Sequence, residues 1–248
     1  MIRWREKFLA FSIHFLVTLG VAACAAALIF FVWFPAPFHE MVGGTKLFLL
    51  VVSCDLALGP LSSLVVYSSS KSRGKLIFDY VVIGILQLAS FVYGVCAVAE
   101  ARPVYIVFAK DHLQVVCASE IDEQEIAQVR EPKYKSLPKW GPRMVGTKVP
   151  REDHNDALFK ALTGRDVPLR PRFYVPYKLI AKEVGQRAHS LAEAKAQHSS
   201  ALNAAAAELG FPMDRLGWLP VLHRTGAWTA IIDRRSGQPL SYINLDPY

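Results

Sequence analysis

The 248-residue sequence holds four cysteines, and their positions exclude a disulfide framework. Cys24, Cys54 and Cys96 fall in long apolar runs, and Cys117 alone lies in the polar half of the chain. No C-x-x-C pair is present to hold a metal. A nucleophile-elbow Gly-x-Ser-x-Gly, a phosphate loop, a His-Glu-x-x-His helix and a dinucleotide fingerprint are missing as well. The sequence therefore offers no catalytic residue, no metal ligand set and no cofactor site. Cys117 stands in Leu113-Gln-Val-Val-Cys-Ala118, which reads as a buried strand and makes it a core thiol without an activating partner. Charge is scarce from Phe8 to Val98 outside two short polar breaks, whereas from Glu100 onward the composition is that of an ordinary globular domain.

What is present is apolar length. The chain is 52% hydrophobic with a positive mean hydropathy and a pI near 9.3. Phe8–Trp33, Leu47–Tyr67 and Leu76–Val98 each reach the roughly 20 residues that a helix needs to cross a bilayer. Helices are the expected form, because lipid cannot satisfy exposed backbone groups. Val21-Ala-Ala-Cys24 resembles a lipoprotein cleavage box, but Ala25–Trp33 stays apolar beyond it, so the first span is expected to remain uncleaved. Arg3, Arg5 and Lys7 precede span one, and Lys71, Arg73 and Lys75 lie between spans two and three. The other ends carry only Lys46 and Arg102. The positive-inside rule then predicts a cytoplasmic N-terminus and an exported, periplasmic C-terminal domain. Trp4 and Tyr67 would mark the inner boundary, and Trp33, Phe34 and Tyr93 the outer one.

The fold class predicted is a membrane protein: a transmembrane region over 1–100 with three helices, followed by a small periplasmic α+β domain over 101–248. Val104–Phe108 and His112–Ala118 read as a hairpin, and Ala227–Asp233 with Leu240–Leu245 as another. Glu152–Thr163 reads as an amphipathic helix stopped at Gly164. Leu179–Leu209 reads as a longer helix, broken if anywhere at Gly185. On that helix His189 and His198 would lie about 13 Å apart, too far to share a metal. A small antiparallel sheet covered by helix is the expected arrangement. Between Arg130 and Lys178 there are twelve Lys/Arg against five Asp/Glu, which suits anionic headgroups, an acidic partner or merely a solvated face. The exported location disfavours nucleic acid as a partner.

Two carboxylates lie in the spans, Asp55 and Asp79. An intramembrane aspartyl protease would need them to share a proton at about 3 Å. Counting from the inner boundary places Asp55 about 18 Å deep and Asp79 about 4–5 Å deep, which argues against a dyad. Asp79 is expected in the headgroup region, near Lys75 or His14.

Asp55-Leu-Ala-Leu-Gly-Pro60, followed by Leu-Ser-Ser-Leu-Val-Val-Tyr67, resembles the second-span motif of the type IV pilin accessory proteins, the TfpX/TfpZ family. Arg102-Pro-Val-Tyr-Ile-Val-Phe108, Gly164-Arg-Asp-Val-Pro-Leu-Arg-Pro-Arg-Phe-Tyr-Val-Pro-Tyr177 and the terminal Leu245-Asp-Pro-Tyr248 resemble that family in the same order. Val167–Arg170 is less apolar than the family pattern, and the last residue is Tyr where Trp is usual. The resemblance implies a Gram-negative inner-membrane protein that supports the stability or assembly of one type IV pilin. The partners would be that pilin and the lipid bilayer, with the oligomeric state open. A membrane-anchored sensor or envelope scaffold is the competing class.

A mid-membrane carboxylate is costly and usually faces a partner or a cavity. Pro60 frees a backbone carbonyl, and Gly59, Ser62 and Ser63 thin one side of the helix. Asp55, Gly59, Pro60, Ser62 and Ser63 are thus expected to form a polar notch, for a pilin helix or for the protein's own spans. In the exported domain Arg170, Arg172, Tyr174 and Tyr177 are residue types that anchor interfaces, held on a proline-rich extended segment.

Overall fold

Two compact units divide the chain, Met1–Glu100 and Ala101–Tyr248. The computed structural model describes residues 4–68 and 71–248, so Arg3 of the basic tail lies outside the described residues.

The first unit is helical. α1 (Trp4–Leu28) continues as a π-turn over Ile29–Trp33, a short α2 covers Phe38–Met41, and α3 (Gly44–Val66) and α4 (Arg73–Ala101) follow. Three of its helices, Trp4–Trp33, Gly44–Val66 and Arg73–Ala101, are long and apolar enough to cross a membrane. They start three or four residues earlier than the apolar runs, because flanking residues such as Arg5, Lys46 and Lys75 are good helix formers.

α1 packs along α3, and the residues buried on α1 and at the start of its π-turn, Thr18, Ala22, Ala25 and Ile29, recur at helical spacing and are mostly small. Small side chains let two backbones approach where lipid supplies no hydrophobic drive. α4 buries only Gly94 and Val98, and a Cβ on Gly94 would collide with Val51 of α3. In the connection before α3 the fully buried Phe34 ring fills the space that a Cβ on Gly44 would need. Lys7 and Lys71 donate to the carbonyls of Leu64 and Val66 at 3.1 and 2.8 Å, supplying cations to the C-terminal end of α3.

The second unit carries β1 (Pro103–Ala109), β2 (His112–Cys117), α5 (Glu123–Ala127), β3 (Arg143–Thr147), α6 (His154–Leu162), β4 (Tyr174–Pro176), α7 (Ala181–Arg187), β5 (His189–Ser190), α8 (Ala196–Ala207), β6 (Leu216–His223), β7 (Gly226–Asp233) and β8 (Gln238–Ile243). They form one eight-stranded sheet ordered β4-β3-β1-β2-β6-β7-β8, with β5 on β6. Both expected hairpins are present, β1–β2 and β7–β8. The sheet itself is larger than expected and mixed, because β3 runs parallel to β1 and β6 parallel to β2.

Those two strands were concealed by composition. β3 follows a loop rich in Pro and Lys, and β6 contains Pro220. Pro220 falls between the β5 pairing at Gly217–Trp218 and the β2 pairing at Val221–Leu222, where the ladder on that edge is already interrupted. The helix expected over Leu179–Leu209 is two helices, α7 and α8. Gly185 lies inside α7 against the Arg234 carbonyl, and the chain opens instead at Ala188–Lys195 to place β5 on β6. His189 and His198 therefore do not share a helix. Cys117 is buried, and burial with the nearby Glu120 pushes its thiol up to about 12, so it stays an inert core thiol.

The turn between β7 and β8 is organised by Asp233. Its carboxylate accepts from Arg215 Nε and Nη2, both at 2.7 Å, and from the Ser236 hydroxyl at 2.6 Å. The Arg215 hydrogen bonds hold Asp233 well below the usual carboxylate range. A depressed carboxylate stabilises the fold above its unfolded value of about 3.9, and that contribution fades as pH falls toward the folded value. Arg215→Gln is expected to lower the melting temperature at neutral pH by several degrees and to flatten the loss on acidification below about pH 4. Thermal unfolding of the detergent-solubilised chain across pH checks this; equal acid sensitivity in both proteins would contradict it.

Candidate functional site

The polar residues of the three long helices meet in one layer. His14 Nδ1 lies 2.5 Å from Ser63 Oγ, and His14 Nε2 lies 2.7 Å from Gln87 Oε1. Gln87 Nε2 donates to Thr18 Oγ1 at 3.1 Å. A neutral imidazole satisfying both contacts carries its proton on Nε2 and accepts from the Ser63 hydroxyl at Nδ1. The sequence of donors then runs Ser63 to His14 to Gln87 to Thr18, linking α3, α1 and α4. One helical turn along α3 from Gly59, the buried Asp55 carboxylate lines a groove together with Ser90 of α4.

Spacing explains the layer. Asp55, Gly59 and Ser63 recur every four residues on α3, and all three are buried. His14 and Thr18 recur likewise on α1, and Gln87 and Ser90 are three apart on α4. Gly59 is needed for contact: a Cβ there would lie 2.5 Å from Gln87 Nε2. Pro60 is buried within α3, which continues through it, and the Ser62 hydroxyl donates to the Leu58 carbonyl at 2.6 Å. Val51 with Gly94, Asp55 with Ser90 and Gly59 with Gln87 are successive α3–α4 contacts, as antiparallel helices require.

Between these contacts the helices leave two grooves. One of about 280 Å³ is lined mostly by apolar side chains, among them Val17, Val21, Val52 and Phe91, with His14, Asp55 and Gln87 on its wall. The other, about 240 Å³, is lined by Asp55, Leu58, Gly59, Ser62, Leu86 and Ser90 among others. Asp55 and Gln87 border both. Asp79 is engaged elsewhere: Lys71, rather than Lys75 or His14, pairs with it at 2.7 Å. The two span carboxylates thus have separate partners.

The residues singled out in the second unit, Arg170, Arg172, Tyr174 and Tyr177, have their partners inside that unit. Arg170 is 1% exposed, donating to Glu125 at 3.2 Å and to Asp156 at 2.7 Å. Arg172 donates to Asp156 at 2.5 Å and Gln128 at 2.6 Å. Tyr174 packs edge-on to Tyr105 and Tyr134 and donates to the Pro168 carbonyl, and Tyr177 donates to the Gly237 carbonyl. Burial raises the phenols of Tyr105, to about 12, and of Tyr174. Only Arg172 keeps appreciable surface among the four, and the Gly164–Tyr177 segment acts here as a strap across its own sheet. Among the described residues no cluster of three His, Cys, Asp or Glu could hold a metal.

Sequence reasoning named the α3 side of the polar layer and missed His14, Thr18, Gln87 and Ser90. Their signal was available as polar pairs at helical spacing inside apolar runs.

Over residues 2–43 the chain matches the family model described as fimbrial assembly protein FimB. It is 30% identical to the fimbrial assembly protein of serogroup I from Dichelobacter nodosus, over 90% of this chain and 89% of the relative. The chain belongs to the fimbrial assembly proteins. This fimbrial assembly protein is also 29% identical to the serogroup E1 protein of that organism over the same shares. With the protein of serogroups C1 and C2 it shares 39% identity over 47% of its length and 89% of the relative's. No solved structure matches it.

Gly59→Ala is expected to displace Gln87 and cost the fimbrial assembly protein about 1 kcal/mol, the scale of the hydrogen bonds it disturbs. In a Gln87→Ala background the same substitution is expected to cost almost nothing. Denaturation in mixed micelles measures both; equal costs in the two backgrounds would show that Gln87 does not require Gly59.

Proposed function

We propose that the protein is an inner-membrane accessory protein, a chaperone that holds a type IV pilin for pilus assembly through its membrane helices. The observation that carries this is the pair of largely apolar grooves beside Asp55, at the same motif that resembles the pilin accessory proteins. The names of the relatives, fimbrial assembly proteins, support the wider role. The basic residues at the tail and second loop support a cytoplasmic N-terminus and a periplasmic domain.

A pilin awaiting assembly offers an apolar helix, and the grooves offer an apolar wall with a few polar groups. Such a wall lets a helix enter from lipid while Asp55, Gln87 and His14 supply hydrogen-bonding partners. The role is non-catalytic: it lies in retention and orientation of a subunit.

The test compares the protein's own abundance with pilin level and surface pili. Asp55→Leu removes a group that costs roughly 2.5–3.5 kcal/mol at a helix centre on insertion scales, so the protein itself is expected to insert and accumulate normally. Pilin level or piliation is expected to fall. Full piliation in this variant would remove the carboxylate from the partner interaction. Joint loss of the accessory protein and pili would make the layer an internal fastener only.

A further inference from the structure

α6 is built with its sides reversed. Asp156 and Lys160 face inward, where Asp156 receives Arg170 and Arg172 and Lys160 lies 3.5 Å from the buried Glu125. Ala157 is the one fully buried residue of the helix. The large apolar side chains point away: Leu158 is 68% exposed, Phe159 72% and Leu162 84%. At 100° per residue Leu158, Leu162 and Phe159 span a single face about 100° wide. Three adjacent large apolar side chains on one helix face form a patch of the kind that marks a membrane or protein contact.

Charge distribution selects the occupant. The domain from Ala101 carries 21 Lys/Arg and 16 Asp/Glu, a net of +5. Arg130–Lys178, which contains α6, carries 12 against 5, a net of +7, leaving −2 for the remainder. The positive charge is thus concentrated in the segment that presents the apolar face. Lys148 and Arg151 are exposed just before the helix and Arg165 just after it, beside the exposed Glu152 and Asp166, with Arg165 paired to Asp122 at 3.2 Å. An apolar helix face on a segment of net positive charge is the chemistry of a segment that lies in an anionic bilayer interface. β1 begins two residues after α4 ends, so an inserted span tethers the domain close to such a surface.

We propose that α6 docks on the anionic lipid surface of the bilayer that the protein's own spans cross, with Leu158, Phe159 and Leu162 entering the interface. This requires only that the spans be inserted, and it stands or falls independently of whether the grooves hold pilin.

The full chain tests it after reconstitution into phosphatidylcholine vesicles with or without phosphatidylglycerol. The four native cysteines are replaced by serine or alanine, and Leu162→Cys is spin-labelled. The expected result is a several-fold higher ratio of oxygen to nickel-chelate collision at position 162 than at a labelled Glu208→Cys, rising further with phosphatidylglycerol. Arg151→Glu with Lys148→Glu is expected to reverse that rise. Because positions 148, 151, 162 and 208 are exposed, the labelled variants should retain the unfolding curve of the cysteine-free parent. Free access of the nickel chelate at position 162 in both vesicle types would overturn the proposal. Shielding that appears only when pilin is co-reconstituted would assign the face to a protein partner and overturn it too. Spin–spin broadening that grows with protein-to-lipid ratio would assign the face to a second copy, with the same consequence.

Discussion

A carboxylate in the apolar middle of a helix has to be accommodated, and the helical unit is arranged around how Asp55 is. It is buried beside Ser90 on one groove wall, and one turn away Gln87 occupies the space left by Gly59. Gln87 in turn joins His14 and Thr18, and His14 joins Ser63. Polar contacts of this type contribute about 0.6 kcal/mol each on average between membrane helices, so their number and shared partners matter more than any one of them. The arrangement holds α4 to α3 at a few points only. It is that economy of contact which leaves grooves on either side of Asp55.

The second unit uses ions differently. Glu125 and Arg170 are both buried, and truncating one member of such a pair leaves an uncompensated charge, at a typical cost of 3–5 kcal/mol. Asp156 and Lys160 bring α6 into that network. Because polar side chains attach the helix to the domain, its apolar side chains remain on the outside. The same chemistry that fixes the proline-rich strap therefore determines which face of α6 meets the surroundings.

Much of this was legible in the sequence. The three long helices follow from apolar length, and the β1–β2 and β7–β8 hairpins from alternating β-rich runs with turn residues between them. The α3 face of the polar layer was legible because a carboxylate and a Gly-Pro pair stand out in an apolar run. His14 and Gln87 left only their spacing from Thr18 and Ser90 as a sign, and that spacing does not say which helix they meet. β6 was hidden by Pro220, and the interruption of its ladder is a tertiary fact. Arg170, Tyr174 and Tyr177 look like interface anchors by type, and only the fold discloses that their partners, Glu125, Pro168 and Gly237, lie within the domain.

The central claim is that a pilin helix lies in a groove beside Asp55, and site-specific photocrosslinking in cells tests it most directly. A benzophenone amino acid at Leu86, which lines a groove with Asp55, should capture pilin. The same probe at Phe31, an exposed position of the first long helix that lines neither groove, should capture little. Equal capture at both positions, or none at Leu86 with pilin at normal abundance, would contradict the account.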